Sequence, residues 1–266
     1  MRTGEIVGFE ALFRWRYPHS ASVPAREFIP IAEETGLIIP MGEWALGEAC
    51  RQLRRWRSMA PVQTPAWISV NLSRRQLAHT DLIRRVAEIL KETGLEPLQL
   101  MLEVTESSVI DNADLAARML EKFRSMGIRI AVDDFGTGYS SLSLLQQLPI
   151  DVVKIDRSFI SELDGTASPD CRMLRGIINL ASSMGLTVIA EGVERLEQTD
   201  ILRDLGCVYA QGHYFSHPKD AVSLTQHLER VWSGKEEDDL RPAHGLGPAV
   251  PMPPLTLGTP AGTHDS

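Results

Sequence analysis

Apolar and polar positions divide most of the chain into short apolar runs separated by amphipathic helical patterns. Seven short apolar runs, most of them rich in Val and Ile and bounded by Gly, Pro or polar residues, predict β-strands. The predicted strands cover residues 5–13, 66–72, 98–104, 128–133, 152–155, 186–190 and 208–211. Helical spacing of apolar residues extends over 28–35, 41–57, 74–93, 113–126, 140–147, 170–184, 196–205 and 221–232.

The regular alternation of strands and helices predicts an α/β fold in which helical crossovers join parallel strands. Several helices are predicted to stop at a glycine, as at Gly94, Gly127, Gly185 and Gly206. Seven strands fit an open doubly wound sheet, whereas a closed (β/α)8 barrel needs eight. On the pattern alone, both arrangements stay open.

Polar side chains of ligand-binding type stand at or near the carboxyl end of every predicted strand. In barrel enzymes the active site lies at this face, so what each strand delivers there is informative. One charged residue at a strand end is usually only solvated, but seven such ends in succession favour a shared site. In chain order these residues are Glu10, Asn71, Glu103, Asp133 with Asp134, Lys154, Glu191 and Gln211.

Five carboxylates at one barrel mouth repel one another, so the cluster needs cations. Carboxylate and amide oxygens suit Mg²⁺ or Mn²⁺, and the adjacent Asp133 and Asp134 can bridge and flank two ions about 3.5 to 4 Å apart. Paired divalent ions indicate hydrolysis of a phosphate ester. Lys154 then orients the attacking water or stabilises charge on phosphorus, and the alternative is that it only neutralises Asp133 or Glu191. A zinc site built on histidine is disfavoured, since none of the seven His ends a strand.

A segment rich in glycine and hydroxyl groups, DFGTGYSS at residues 134–141, directly follows the fourth predicted strand. Such a segment can wrap a phosphate or close over the ions as a lid. A plain turn is the alternative reading of its two glycines.

Composition excludes several classes of protein. The formal charge is −8 and the pI is near 5.4, so no overall basic field attracts a nucleic acid polymer. No apolar run approaches the length of a membrane span, and the N-terminus has no hydrophobic leader core, which favours a cytoplasmic domain. Cys50, Cys171 and Cys207 are far apart in sequence, which is typical of buried reduced thiols rather than of a disulfide framework.

The chain divides into a domain over residues 1–233 and a tail over residues 234–266. The tail holds six Pro and five Gly in 33 residues, opens with an acidic run and has no strand or helix periodicity. These features predict a disordered segment. A proline-rich docking peptide is the alternative function.

The motifs at the strand ends resemble the EAL domain, the cyclic di-GMP phosphodiesterase family. The resemblance covers roughly residues 4–230, in the family's order and at compatible spacing. Its motifs are GFEALFRW (8–15), FIPIAE (28–33), VNLS (70–73), LEVTE (102–106), the 133–141 segment, VKID (153–156), AEGVE (190–194) and QGHYF (211–215).

The resemblance implies a modified TIM barrel that hydrolyses one phosphodiester of cyclic di-GMP to linear pGpG, using two Mg²⁺ or Mn²⁺ ions. Such an enzyme degrades a bacterial second messenger in signalling, including the control of biofilm and motility. The resemblance also implies roles for single residues. The ligands of one ion are Glu10, Asn71, Glu103 and Asp133, and those of the other are Asp133, Asp134 and Glu191. The catalytic groups are Lys154 and Glu191, and the resemblance leaves open whether Glu191 is the general base. The contacts to the dinucleotide are Leu12, Arg14 and Gln211. Glu106 anchors the 133–141 loop, which in this family is associated with metal binding and dimerisation.

One departure from the family concerns the start of the barrel. The family has an additional strand before the Glu10 strand, which this chain begins too late to contain, in agreement with the count of seven. We therefore expect a barrel that lacks its first strand, has two unpaired edges and is less stable for it. The chain is then a fragment of a longer protein with an upstream sensory or GGDEF domain, or its start was misassigned. The competing function is a catalytically weak or inactive module that binds cyclic di-GMP.

Overall fold

The computed structural model describes residues 5–16, 22–60, 65–110, 113–137, 146–163 and 169–233. The predicted tail (234–266) lies outside these residues. So does most of the predicted 140–147 helix, together with the second half of the glycine-rich 134–141 segment.

The described strands form a curled sheet of seven parallel strands and a separate two-stranded ribbon. The large sheet has the order β1-β4-β5-β6-β7-β8-β9, and β2 pairs with β3 in antiparallel fashion. Each of the seven predicted strand regions supplies one strand of the large sheet, which confirms the α/β class and the barrel-type arrangement. The strands are β1 (Gly8–Ala11), β2 (Trp15–Arg16), β3 (Ser22–Val23), β4 (Trp67–Leu72), β5 (Leu100–Thr105), β6 (Arg129–Phe135), β7 (Val152–Ile155), β8 (Thr187–Ala190) and β9 (Tyr209–Ala210).

Helices lie between successive strands of the large sheet, as parallel pairing requires, except that most of the connection from β6 to β7 lies outside the described residues. The helix predicted over residues 74–93 is wrong as one element, because a short first helix ends at Leu77 and a second begins at Leu82. Ser73 and Gln76 form a capping box on the first. The helices are α1 (Ala25–Thr35), α2 (Ile38–Met59), α3 (Arg74–Leu77), α4 (Leu82–Thr93), α5 (Glu106–Ile110), α6 (Ala113–Ser125), α7 (Ser158–Ser161), α8 (Pro169–Ser183), α9 (Leu196–Asp204) and α10 (Ala221–Trp232), with a 3₁₀ turn at Pro97–Gln99.

The main hydrophobic core lies between the outer face of the sheet and the helices. Leu53 of α2, Val86 of α4 and Phe123 of α6 are fully buried there against strand residues such as Leu102 and Val104. Burying each aliphatic or aromatic side chain of this size stabilises the fold by about 1.5 to 3 kcal/mol. This packing fixes the strands that carry the polar strand-end residues.

The inner face of the sheet has its own small apolar layer, below the strand ends. Side chains alternate between the two faces of a strand, so residues two positions beyond an inner-layer residue also point inwards. At the start of β1, Gly8 leaves space for the inner layer, since a Cβ there would lie 2.3 Å from ring atoms of Trp67. The layer consists of Trp67, Met101, Ala131, Val152, Ile189 and Tyr209.

Two expectations from composition can be compared with the structure. All three cysteines are buried and free, as predicted. Among the described residues, no helix combines the length and apolar character needed to cross a bilayer.

Candidate active site

Because side chains alternate between the two faces of each strand, the predicted strand-end residues point to the inner face of the sheet and lie together around one lysine. Lys154, in β7, has only 1% of its side chain exposed. Its Nζ lies 2.7 Å from a carboxylate oxygen of Glu191, 2.8 Å from Glu103, 3.3 Å from Asp133 and 3.6 Å from Glu10. Four strands other than β7 therefore deliver an acid to a single ammonium group.

The charge state of Lys154 follows from these contacts. Burial alone would lower the pKa of its ammonium group, because the charged form loses hydration. The carboxylates of Glu103, Glu10, Glu191 and Asp133 oppose this and raise the pKa well above the usual lysine value. The lysine is therefore protonated throughout the physiological pH range.

Glu10 is held by two amides as well as by the lysine. Asn71 Nδ2 donates to Glu10 Oε1 at 2.8 Å, and Gln211 Nε2 donates to Oε2 at 2.7 Å. Burial opposes ionisation of Glu10, but the charge of Lys154 and the two amide donors outweigh it and lower the pKa of this carboxyl. Glu10 is thus a fixed carboxylate that joins the β1 end of the sheet to the β9 end.

Glu103 and Glu191 are in the opposite electrostatic situation. Burial raises the pKa of Glu103 to about 8, and the nearby charges of Glu10 and Asp133 add to this against the attraction of Lys154. Burial likewise raises the pKa of Glu191 to about 7, with Asp133 and Glu10 as further like charges. Four carboxyl groups in contact with one ammonium are more negative charge than it can neutralise, and Glu103 and Glu191 carry the excess as raised pKa values.

A backbone irregularity aims two adjacent aspartates at the same site. The register of β6 against β7 shifts between Val132 and Phe135, and Asp134 has a left-handed φ of +54°. The Asp134 N–H donates to Asp133 Oδ1 at 3.0 Å. In a regular strand these two side chains would point to opposite faces, whereas a bulge can redirect one of them.

The bulge creates a group of oxygen donors that fits a divalent cation. Asp133, Asp134 and Glu191 each offer a carboxylate oxygen, and these oxygens all lie within 4.8 Å of one another. Burial raises the pKa of Asp134, and Asp133 and Asp156 add to this effect as like charges. Hard oxygen ligands of this kind suit Mg²⁺ or Mn²⁺, so the donor set is compatible with the predicted ions.

Glu106 begins α5 immediately after β5 and is buried. Its Oε2 accepts a hydrogen bond from the Gly136 N–H at 3.4 Å. Gly136 has a φ of +96°, and a Cβ there would lie 2.7 Å from the ring of Phe159. Glu106 therefore contacts the first part of the 133–141 segment. The remainder of that segment lies outside the described residues.

The two remaining predicted ligand contacts follow β1 rather than lying within it. Leu12 is 40% exposed, and Arg14 is exposed with its Nη1 donating to the carbonyl of Phe13 at 3.0 Å. Both side chains lie on the surface, in contrast to the buried Glu103 and Lys154.

The sequence profile of the EAL domain family matches residues 1–218. The chain belongs to the EAL domain family. The match covers every residue of the acidic cluster and the turn after β9, and it includes the β1 segment from which the domain takes its name, Glu10-Ala11-Leu12.

Relatives and solved structures agree with this membership. The EAL chain is 44% identical over 222 residues to the bifunctional diguanylate cyclase/cyclic di-GMP phosphodiesterase MucR of Pseudomonas aeruginosa, covering 83% of this chain and 32% of that protein. It is 42% identical over 229 residues to the oxygen sensor protein DosP of Escherichia coli, covering 86% of this chain and 28% of that protein. It therefore spans about a third of the length of these relatives.

A solved structure of the MucR phosphodiesterase in complex with c-di-GMP has the same fold. The TM-score is 0.76 at 43% sequence identity, over 82% of this chain and 87% of that one.

The sequence-based predictions assign no role to one residue of this EAL site. Gly192 directly follows Glu191 and has a φ of +70°. A Cβ there would lie 2.2 Å from Arg157 Cβ and 3.1 Å from its Cα, so only glycine fits this close approach. The signal available in the sequence was its position next to a strand-end acid, which indicates a sharp change of chain direction.

Proposed function

We propose that this EAL domain hydrolyses cyclic di-GMP to linear pGpG with the help of two Mg²⁺ or Mn²⁺ ions. The observation that carries the proposal is the enclosure of Lys154 by Glu10, Glu103, Asp133 and Glu191 at the carboxyl ends of parallel strands. Barrel enzymes place their chemistry at this face. The name of MucR as a cyclic di-GMP phosphodiesterase supports the choice of substrate.

We assign the ions to two overlapping groups of ligands. Asp133, Asp134 and Glu191 would hold one ion, and their oxygens are already within 4.8 Å of one another. The other ion would take Glu10, Asn71, Glu103 and Asp133. When bound, the ions supply Lewis acidity toward the phosphodiester and lower the pKa of a water molecule.

The chain's own groups then perform the remaining tasks. Lys154 keeps a positive charge at Nζ, where it stabilises negative charge that develops on the phosphoryl oxygens as water attacks and the 3′ oxygen leaves. Glu191, beside it, accepts a proton from the attacking water. Leu12, Arg14 and Gln211 bind the dinucleotide, and Gln211 also holds Glu10 in place.

The proposal is tested by following cyclic di-GMP and pGpG by chromatography, with purified protein in Mn²⁺. Native protein is expected to form pGpG, and Glu10→Gln to form at least about a hundredfold less, because a charged ligand is lost. Glu48→Gln is the matched control, since Glu48 is exposed on α2 and pairs with Arg51 instead. Equal product from Glu10→Gln and native protein would reject the assignment.

The competing function, a module that binds without turnover, gives a different result in the same assay. Native protein would then bind cyclic di-GMP in Mn²⁺ but form no pGpG at any protein concentration. Equilibrium dialysis of labelled nucleotide, run beside the chromatography, separates the two functions.

The wider assembly is part of the proposal too. MucR joins two activities in one chain, and we infer that this domain likewise works with a GGDEF or sensory partner domain and as a homodimer. Light scattering of the purified domain gives its mass in solution, and the mass of a monomer at all concentrations would exclude the dimer.

A further inference from the structure

Two histidines lie side by side on the turn after β9, which also carries Gln211. The rings of His213 and His217 have centroids 4.3 Å apart, with their planes inclined by 38°. Both residues are exposed. Neither belongs to the set of residues proposed for catalysis, which consists of carboxylates, amides and a lysine.

The backbone holds this turn in one shape. The Tyr214 N–H donates to the Val193 carbonyl at 3.0 Å, and the Ser216 N–H donates to the Gly212 carbonyl at 3.2 Å. A Cβ on Gly212 would lie 2.1 Å from the Val193 oxygen, so the turn is packed closely against the segment after β8. The backbone that carries the two imidazoles is therefore in place before any ligand arrives, which reduces the entropic cost of binding one.

The separation of the rings matches a particular coordination angle. When two imidazoles bind one ion, each ring centroid lies about 3.2 Å from the ion, which is the metal–nitrogen bond plus the distance from nitrogen to ring centre. Centroids 4.3 Å apart then subtend an angle of about 84° at the ion. This angle is near the right angle between neighbouring ligands of a square-planar or octahedral ion, and it is narrower than the tetrahedral angle that zinc prefers.

We propose that His213 and His217 form a two-imidazole site for a tetragonal divalent ion, Cu²⁺ or Ni²⁺, with water completing the coordination. Exposed rings can turn about the broad χ2 torsion to aim one nitrogen each at the ion. Imidazole suits Cu²⁺ and Ni²⁺, whereas Mg²⁺ and Mn²⁺ prefer oxygen ligands. The chain thus carries two chemically different cation sites, one built on oxygen and one on nitrogen.

The test is a Cu²⁺ titration of the full chain, purified without a polyhistidine tag and kept in excess Mg²⁺ to occupy the oxygen ligands. Electron paramagnetic resonance is expected to show one tight Cu²⁺ per chain with hyperfine splitting from two imidazole nitrogens. His213→Ala and His217→Ala are each expected to weaken this binding at least about tenfold, because a chelate becomes a single ligand. His79→Ala, a histidine between α3 and α4, is the control and should bind as native protein does.

Two results would overturn the proposal: native affinity in either single variant, or splitting from one nitrogen only in native protein. Circular dichroism checks that each variant is folded. His213→Gln and His217→Gln repeat the comparison with polar side chains. If an alanine variant does not fold, the glutamine variant at the same position supplies the Cu²⁺ affinity. Isothermal titration with Ni²⁺ is a second readout. We expect native protein and His79→Ala to bind Ni²⁺ more tightly than the His213 and His217 variants do.

Discussion

At the scale of single residues, Lys154 owes its charge to its neighbours. An isolated ammonium with 1% exposure would favour the neutral form, but four carboxylates hold its pKa well above the usual value. The reverse holds for Glu103 and Glu191, whose pKa values rise to about 8 and about 7. The site therefore keeps a permanent cation next to acids that are only partly ionised near neutral pH.

Lys154→Ala should remove turnover while sparing most nucleotide binding. The proposed role of the ammonium is realised mainly in the transition state. We therefore expect kcat to fall at least about a hundredfold, whereas the dissociation constant of cyclic di-GMP should rise only a few-fold. Lys122→Ala, which removes an exposed lysine of α6, is the control. Parallel loss of binding and turnover would instead assign Lys154 to substrate binding.

At the scale of elements, the strands were predictable and the irregular segments were not. Seven apolar runs located the seven described strands of the large sheet, because most of these strands bury Val, Ile or Leu residues. The β2–β3 ribbon has two residues per strand and so no periodicity to detect. The bulge at Asp133 and Asp134 depends on the pairing of β6 with β7, a contact between distant segments that no local pattern contains.

The candidate site, too, was predictable from the sequence only in part. The acids at the strand ends could be found from their positions alone, since parallel strands present their carboxyl ends at one edge. The sequence could not show that Asn71 and Gln211 both donate to Glu10, because this depends on how far the sheet curls. Nor could it show that Lys154 contacts Glu10 and Glu103 in addition to the two acids considered for it.

Gly192→Ala should damage the site more than Gly185→Ala. Both glycines have positive φ, at +70° and +74°, and alanine costs about 1 to 2 kcal/mol in that region. A Cβ at Gly192 also meets Arg157, whereas nothing lies within 4 Å of one at Gly185. We expect a moderate loss of thermal stability in Gly185→Ala with normal activity, and a larger loss with impaired activity in Gly192→Ala. Equal activities in the two variants would contradict the positioning of Glu191 by this turn.

At the scale of the whole molecule, the ends of the described sheet meet through side chains. Within the described residues β1 and β9 are the two end strands, and Gln211 beyond β9 hydrogen-bonds Glu10 of β1. The ring of Tyr209 packs edge-on against Trp67 of β4 at 5.5 Å. Side-chain contacts of this kind join the end strands where backbone pairing is absent among the described residues. The instability expected from two unpaired edges stays a prediction.

Stability should depend on pH in a way that divalent ions remove. A carboxyl whose pKa is raised by folding favours the folded state only while it is protonated. Stability therefore falls as pH rises from the ordinary glutamate pKa of 4.5 through about 7 for Glu191 and about 8 for Glu103. Glu10, with a lowered pKa, adds no change in this window. In chelator, the melting temperature should drop by several degrees between pH 5 and pH 8.

With Mn²⁺ in excess, that drop should shrink or vanish, because the ions neutralise the ionised carboxylates. Differential scanning calorimetry over this pH range, with and without Mn²⁺, measures both curves. Glu191→Gln should flatten the metal-free curve. A melting temperature that rises with pH in chelator would contradict the charge balance described for the site.

The proposed function requires that the acidic cluster bind a pair of divalent ions and use them to cleave a phosphodiester. The most direct measurement is the number of Mn²⁺ ions bound per chain, obtained by equilibrium dialysis on the same samples in which pGpG formation is assayed. Native protein is expected to bind two ions and to form pGpG, and Asp133→Asn is expected to bind Mn²⁺ more weakly, with turnover partly restored at high Mn²⁺. Full turnover in protein stripped of divalent ions, or Mn²⁺ binding unchanged by Asp133→Asn, would contradict the proposed function.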